Sequence, residues 1–223
     1  MPLNAGVHFI EPTIPVYVFQ ADAVGPTAII QAGIHGDEIA GVHALQELLE
    51  GRMRPARGRL LIIPVMNPGA YRARQRAAPG GLDLNRAFPG DPHSASLETR
   101  LARRFLDLCI DEQPALVATL HESMKRYSPA VTPSFGQTIV YGVDPMPGIV
   151  HRTVEALNDN VASEAEHWAP QFYPVATSST EIIVEAVGCI GLCIETWMGF
   201  EERRRIDMQK EVVELLLADV GVL

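Results

Sequence analysis

Long apolar runs are missing from this 223-residue chain, and so is any excess of positive charge. No stretch approaches the ~20 consecutive apolar residues that a membrane-spanning helix requires, so no membrane partner is expected. The opening residues, Met1 to Ile10, have neither the basic start nor the apolar centre of a secretory signal, and the expected location is the cytoplasm. Eighteen Lys and Arg stand against 27 Asp and Glu, a formal net charge of −9. Nucleic acid is therefore not expected as a partner, because phosphate binding calls for a basic surface. Cysteine is scarce: Cys109, Cys189 and Cys193 are an odd count with no export signal, which predicts reduced core thiols and no disulfide framework. Cys189 and Cys193 fall in an apolar run that reads as packing, not metal binding. Internal repeats, low-complexity tracts and a domain boundary are also lacking, and residues 1–223 read as a single domain with one core.

What is present is an alternation of short apolar runs and amphipathic stretches, the pattern of an α/β domain with a mostly parallel sheet. Strands are predicted at Val16–Gln20, Thr27–Ala32, Arg59–Val65, Ala115–His121, Gln137–Tyr141, Phe172–Ala176 and Cys189–Thr196. Helices are predicted at Glu38–Gly51, Ser96–Asp111, Gly148–Ala162, Ser179–Val187 and Glu201–Ala218. Two segments lack periodicity, Asn67–Pro92 and Ser123–Phe135, and loops of that length are usually functional. The arginines at 52, 54, 57 and 59 read as a solvated connector.

The segment Gly33-Ile-His-Gly-Asp-Glu38 sits where the run Thr27–Ala32 gives way to a helical pattern, so His35 and Glu38 share one tight turn and can converge on a metal ion. Such a pair is half of a tetrahedral zinc shell, and catalysis needs a third protein ligand plus an open position. His121 closes the apolar run Ala115–Leu120, and ligands from the carboxyl ends of neighbouring strands meet where open α/β sheets place their sites. Glu195 also closes a buried strand, where an unemployed carboxylate would be costly, and it is the candidate general base. Glu122 should face the opposite side of its strand from His121. The glycines 33, 36 and 41 raise the alternative of a phosphate loop, but their spacing fits neither nucleotide-binding pattern, and Asp37 and Glu38 would repel a phosphate.

Four elements in register carry a family resemblance: His35-x-x-Glu38; Asn67-Pro68 followed by Asp83-Leu84-Asn85-Arg86; Leu120-His121; and Ile194-Glu195. Over roughly Thr27 to Thr196 the chain resembles the zinc carboxypeptidase superfamily, nearest its succinylglutamate desuccinylase/aspartoacylase-like branch and the murein peptide amidases. The resemblance implies a mixed sheet of about eight strands flanked by helices. It implies one Zn2+ per chain on His35, Glu38 and His121, with Glu195 as general base. It further implies Arg76 as the polariser of the scissile carbonyl and Asn85 with Arg86 as a clamp on a substrate carboxylate. A tyrosine near the catalytic glutamate belongs to the superfamily's carboxypeptidases, and Tyr127, Tyr141 and Tyr173 all lie in the right interval. The expected activity is hydrolysis of an amide bond in a small peptide or an N-acyl amino acid. The few residues after Glu195 favour a metallocarboxypeptidase or peptide amidase over an N-acyl amino acid deacylase; a non-catalytic zinc-binding protein is the remaining alternative.

Overall fold

The computed structural model describes residues 1–159, 161 and 163–223. Its strands are β1 (Gly6–Glu11), β2 (Ile14–Gln20), β3 (Thr27–Ala32), β4 (Arg59–Ile63), β5 (Leu116–Ser123), β6 (Thr138–Tyr141), β7 (Ala169–Phe172) and β8 (Ile190–Trp197). The α-helices among the described residues are α1 (Ala40–Glu50), α2 (Pro68–Ala73), α3 (Leu97–Glu112), α4 (Gly148–Asp159), α5 (Ser179–Val187) and α6 (Glu202–Asp219). The strands form one eight-stranded sheet in the order β1-β2-β4-β3-β5-β8-β6-β7. The centre, β4-β3-β5-β8, is parallel, and antiparallel pairs join β1 to β2, β2 to β4 and β6 to β8. This is the mixed, mostly parallel α/β sheet the sequence predicts.

Both faces of the central strands are covered, which is why they read as continuous apolar runs instead of alternating ones. Ala28, Ile30 and Ala32 of β3 and Leu116, Ala118 and Leu120 of β5 pack with α1, α4 and α6 through Leu45, Val150 and Val212. The intervening Ile29 and Val117 pack on the other side with Leu101 and Phe105 of α3 and Ile183 of α5. Glycine lets α1 approach closely: a Cβ on Gly41 would sit 2.6 Å from the Leu120 Cβ.

Several expectations need correction. β1 was not anticipated; it pairs only with β2 and leaves Val7 and Phe9 exposed, so no buried stripe marks it. The last edge strand lies at Ala169–Phe172, not Phe172–Ala176; it contains Pro170, which an edge strand tolerates on its unpaired side. Within the supposed loop Asn67–Pro92 stands α2, capped by the Asn67 side chain on Ala70 N at 3.1 Å, with Pro68 in the first turn. The helix predicted at Gly148–Ala162 is seen to Asp159; residues 160 and 162 lie outside the described residues. Arg59 is no solvated connector: it opens β4 and pairs with the buried carboxylate of Glu112.

Candidate active site

The chain leaves β3 through Gly33, whose φ of +67° is one that side chains with a Cβ resist. The loop that follows is pressed onto α2. A Cβ on Gly36 would fall 1.9 Å from the Ala70 carbonyl carbon, and Gly36 N–H donates to Gln75 O at 2.9 Å. This fixes His35 and carries Glu38 to the threshold of α1. Across the sheet, β5 and β8 run parallel with His121 directly opposite Glu195 and Thr119 opposite Cys193, so all four share one face. Glu122 faces the other way, as predicted. Its carboxylate accepts from Ala40 N at 2.9 Å and from the Thr196 hydroxyl at 3.3 Å, and it pairs with Arg205.

His35, Glu38 and His121 converge. Each oxygen of the Glu38 carboxylate stands 2.6 Å from an imidazole Nδ1, Oε1 from that of His35 and Oε2 from that of His121. The two rings are 4.8 Å apart, and all three side chains are buried. Burial alone would raise the Glu38 carboxyl, but the two imidazoles outweigh it and hold it well below the usual carboxylate range. Burial likewise opposes the charged form of His35, yet Glu38 and Asp83 lift that ring to about 9. At His121 burial prevails and lowers the pKa. Two imidazoles and a carboxylate, with ligand atoms within 4.8 Å of one another, form a donor set that could hold a metal ion. His121 Nε2 is buried with no hydrogen-bond partner, so protein groups do not fully satisfy this cluster.

All seven residues singled out in the sequence line one cavity of about 290 Å³: His35, Glu38 and His121, then Arg76, Asn85, Arg86 and Glu195. Burial first, then the Glu38 charge, push the Glu195 carboxyl up to about 8. Its Oε1 accepts from the Cys193 thiol, with Sγ at 3.6 Å. Arg76 reaches back from the loop after α2, its Nη1 3.5 Å from His35 Nδ1 and 3.9 Å from Glu38 Oε1. Arg86 is exposed, donating from Nη1 to Asn85 O at 2.9 Å. Asn85 is half committed to structure, since its Oδ1 accepts from Ser179 N at 3.0 Å and lies 3.2 Å from the Ser179 hydroxyl. Tyr141 and Tyr173 line the cavity, and among the described residues Tyr127 does not.

Asp83 had no role assigned from the sequence, yet it ties the site together. One carboxylate oxygen lies 3.3 Å from His35 Nε2 and accepts from Asn85 N at 2.9 Å; the other accepts from Arg76 Nε at 3.0 Å. Burial opposes its charge, but His35 and Arg76 hold the carboxyl well below its usual range. The signal available beforehand was Asp two residues before Asn85, the pattern of a side chain capping its own turn.

The eight-stranded mixed sheet and its flanking helices have a zinc carboxypeptidase-like fold. Residues 24–127 match the succinylglutamate desuccinylase/aspartoacylase catalytic domain, and the resemblance read from the sequence holds. An N-alpha-acetyl-L-2,4-diaminobutyric acid deacetylase of Halomonas elongata is 45% identical over 87 residues, 38% of this chain and 25% of the relative. Product-bound Csd4, a cell shape determinant protein of Helicobacter pylori, superposes with a TM-score of 0.84 at 17% identity, over 95% of this chain and 56% of that one. The ectoine utilization protein EutE (DoeB) of Ruegeria pomeroyi gives a TM-score of 0.71 at 26% identity, over 94% and 61%. The Csd4 likeness is one of fold. The chain thus spans little more than half of these solved structures and matches a quarter of the deacetylase.

Proposed function

We propose that residues 1–223 act as one zinc-dependent catalytic domain that hydrolyses an amide bond in a carboxylate-bearing substrate. The observation that carries this reading is the convergence of His35, Glu38, His121, Arg76 and Glu195 on one cavity. A zinc ion held by His35, Glu38 and His121 would supply Lewis acidity and an activated water. The donor set suits it, being two imidazoles and a carboxylate with a carboxylate behind one ring, since Asp83 stands against His35 Nε2.

The remaining work falls to side chains of this chain. Glu195 accepts a proton from the attacking water and passes it to the departing amine nitrogen; a carboxylate made more basic by burial is suited to take that proton. The Arg76 guanidinium, held by Asp83, donates to the oxyanion as the carbonyl becomes tetrahedral. Arg86 and the Asn85 amide NH2 bind the substrate carboxylate; the Asn85 carbonyl oxygen is already engaged by Ser179.

Two substrate classes suit this arrangement. The family match and the 45% identical stretch favour an N-acyl amino acid over the peptide ranked first from the sequence. The cytoplasm remains the proposed location; no helix among the described residues is long and apolar enough to cross a membrane. The deciding experiment loads the protein with zinc and follows amine release from N-acyl amino acids, dipeptides and murein peptides. Turnover that needs both zinc and Glu195 is expected, with N-acyl amino acids the best substrates. A fully metallated protein inactive on the whole panel would overturn the reading.

A further inference from the structure

A fully buried amide stands behind the active site, on α6, none of whose residues lines the cavity. Gln209 is 0% exposed, and its helix neighbours Met208, Val212 and Val213 belong to the apolar core. Packing alone would select another apolar residue here, since glutamine is mostly found exposed. Its Nε2 donates twice, to His121 O at 2.8 Å and to the Thr196 hydroxyl at 3.1 Å. Its Oε1 is buried and meets no hydrogen-bond donor among the described residues. An unmet buried oxygen weakens a fold, so the two bonds from the nitrogen account for the residue and packing does not.

Those bonds lead to the cluster of two imidazoles and a carboxylate. His121 O and Glu122 N belong to one peptide unit, which lies past the last β3–β5 pair, Ala32 with Leu120. With no strand beside it there, the Glu122 N–H donates to Glu38 Oε2 at 3.2 Å. The same oxygen stands 2.6 Å from His121 Nδ1. One rigid, planar peptide therefore carries Gln209 on its carbonyl and Glu38 on its N–H, with the His121 ring on the adjoining Cα. A donor on the carbonyl polarises the peptide and strengthens its N–H, so the two bonds reinforce each other. The Thr196 hydroxyl that accepts from Gln209 donates in turn to Glu122 Oε1 at 3.3 Å. Arg205, four residues before Gln209 on the same helix face, pairs with that carboxylate.

We propose that Gln209 is a positioning residue for the metal site: by holding the His121–Glu122 peptide, it fixes the Glu38 carboxylate and the His121 ring relative to each other. This rests on the reading of Glu38 and His121 as zinc ligands. Its consequence is that a side chain with no access to the cavity governs how the metal is held.

The test compares two variants of α6. Gln209→Met keeps the length of the side chain and removes the donor. Val213→Ala, at a buried position one turn further on, loosens the packing without removing a hydrogen bond. Zinc affinity is read by competition against a chromophoric chelator, and ligand geometry by the visible bands of the cobalt(II)-substituted protein. Gln209→Met should weaken zinc binding roughly 10- to 100-fold and shift the cobalt bands; Val213→Ala should do neither, although it too lowers stability. Unchanged affinity and bands in Gln209→Met, or the same losses in both variants, overturn the proposal. Should Gln209→Met not fold, Gln209→Asn, which retains the amide but not its reach, takes its place. If the parent protein binds no zinc, the hydrolase reading falls and amide hydrogen exchange decides the rest. The Glu122 N–H should then exchange roughly 10-fold faster in Gln209→Met than in the parent or Val213→Ala, the effect of about one hydrogen bond; equal rates sink Gln209 as well.

Discussion

Replacing Arg205 by Met isolates one buried charge that holds the Gly33–Glu38 loop from behind. The Glu122 side chain is fully buried, and that of Arg205 is 12% exposed. Glu122 also accepts the N–H of Ala40, the first residue of α1, so the pair anchors the helix that follows Glu38. Removing one partner of a buried pair typically costs about 3–5 kcal/mol, because the surviving charge is left uncompensated. The Ala40 and Thr196 contacts remain, so the lower end, about 3 kcal/mol, is expected. Met keeps the apolar stem, which confines the loss to the charge. Adding Glu122→Gln should recover at least half of it. The sign with pH is fixed by Glu122, whose carboxyl burial already raises above its ordinary 4.5 and which must rise further without Arg205. A raised acid costs stability as pH climbs above the unfolded value and costs nothing below it. Urea unfolding should therefore show the full deficit at pH 7 and a smaller one near pH 4, with the denaturant slope unchanged. A loss under about 1 kcal/mol at pH 7, an equal loss at both pH values, or a double variant no better than the single would refute the reasoning.

Other perturbations separate chemistry from scaffold. Glu195→Gln should bind zinc normally, measured by metal analysis, yet lose roughly 10²- to 10⁴-fold in turnover. In metal-free protein the same variant should be more stable than the parent at high pH and equal to it near pH 4, because burial and the Glu38 charge raise the Glu195 carboxyl, and a raised acid penalises the fold as pH climbs above its ordinary value. Asp83→Ala frees both His35 and Arg76 and should weaken zinc binding about 10- to 100-fold in a competition titration. Gly36→Ala forces a methyl against the Ala70 backbone and should cost about 1–3 kcal/mol in thermal unfolding, along with zinc affinity. Glu47, which Arg203 and Lys210 hold down to about 2, links α1 to α6; this contribution is present above pH 4.5 and fades as pH falls towards 2, and Glu47→Gln should flatten that limb of the stability profile.

The central strands were legible because burial on both faces writes itself as an apolar run: β3 is found at Thr27–Ala32 as predicted, and β5 and β8 lie within two residues of their expected ends. The edges were not, because an edge strand is selected less for burial than for tolerance. Val7 and Phe9 of β1 point into solvent, and Pro170 of β7 needs no ladder partner on its open side. α2 failed differently: its cap and proline were visible as Asn67-Pro68, but six residues are too few to show helical periodicity.

At the site the division follows the reach of each interaction. His35 and Glu38 are neighbours in sequence, while His121 and Glu195 each end an apolar run, so strand topology alone brings them together. Asp83 joins His35 across 48 positions through a loop with no periodicity, so its partnership cannot be read before the chain is folded.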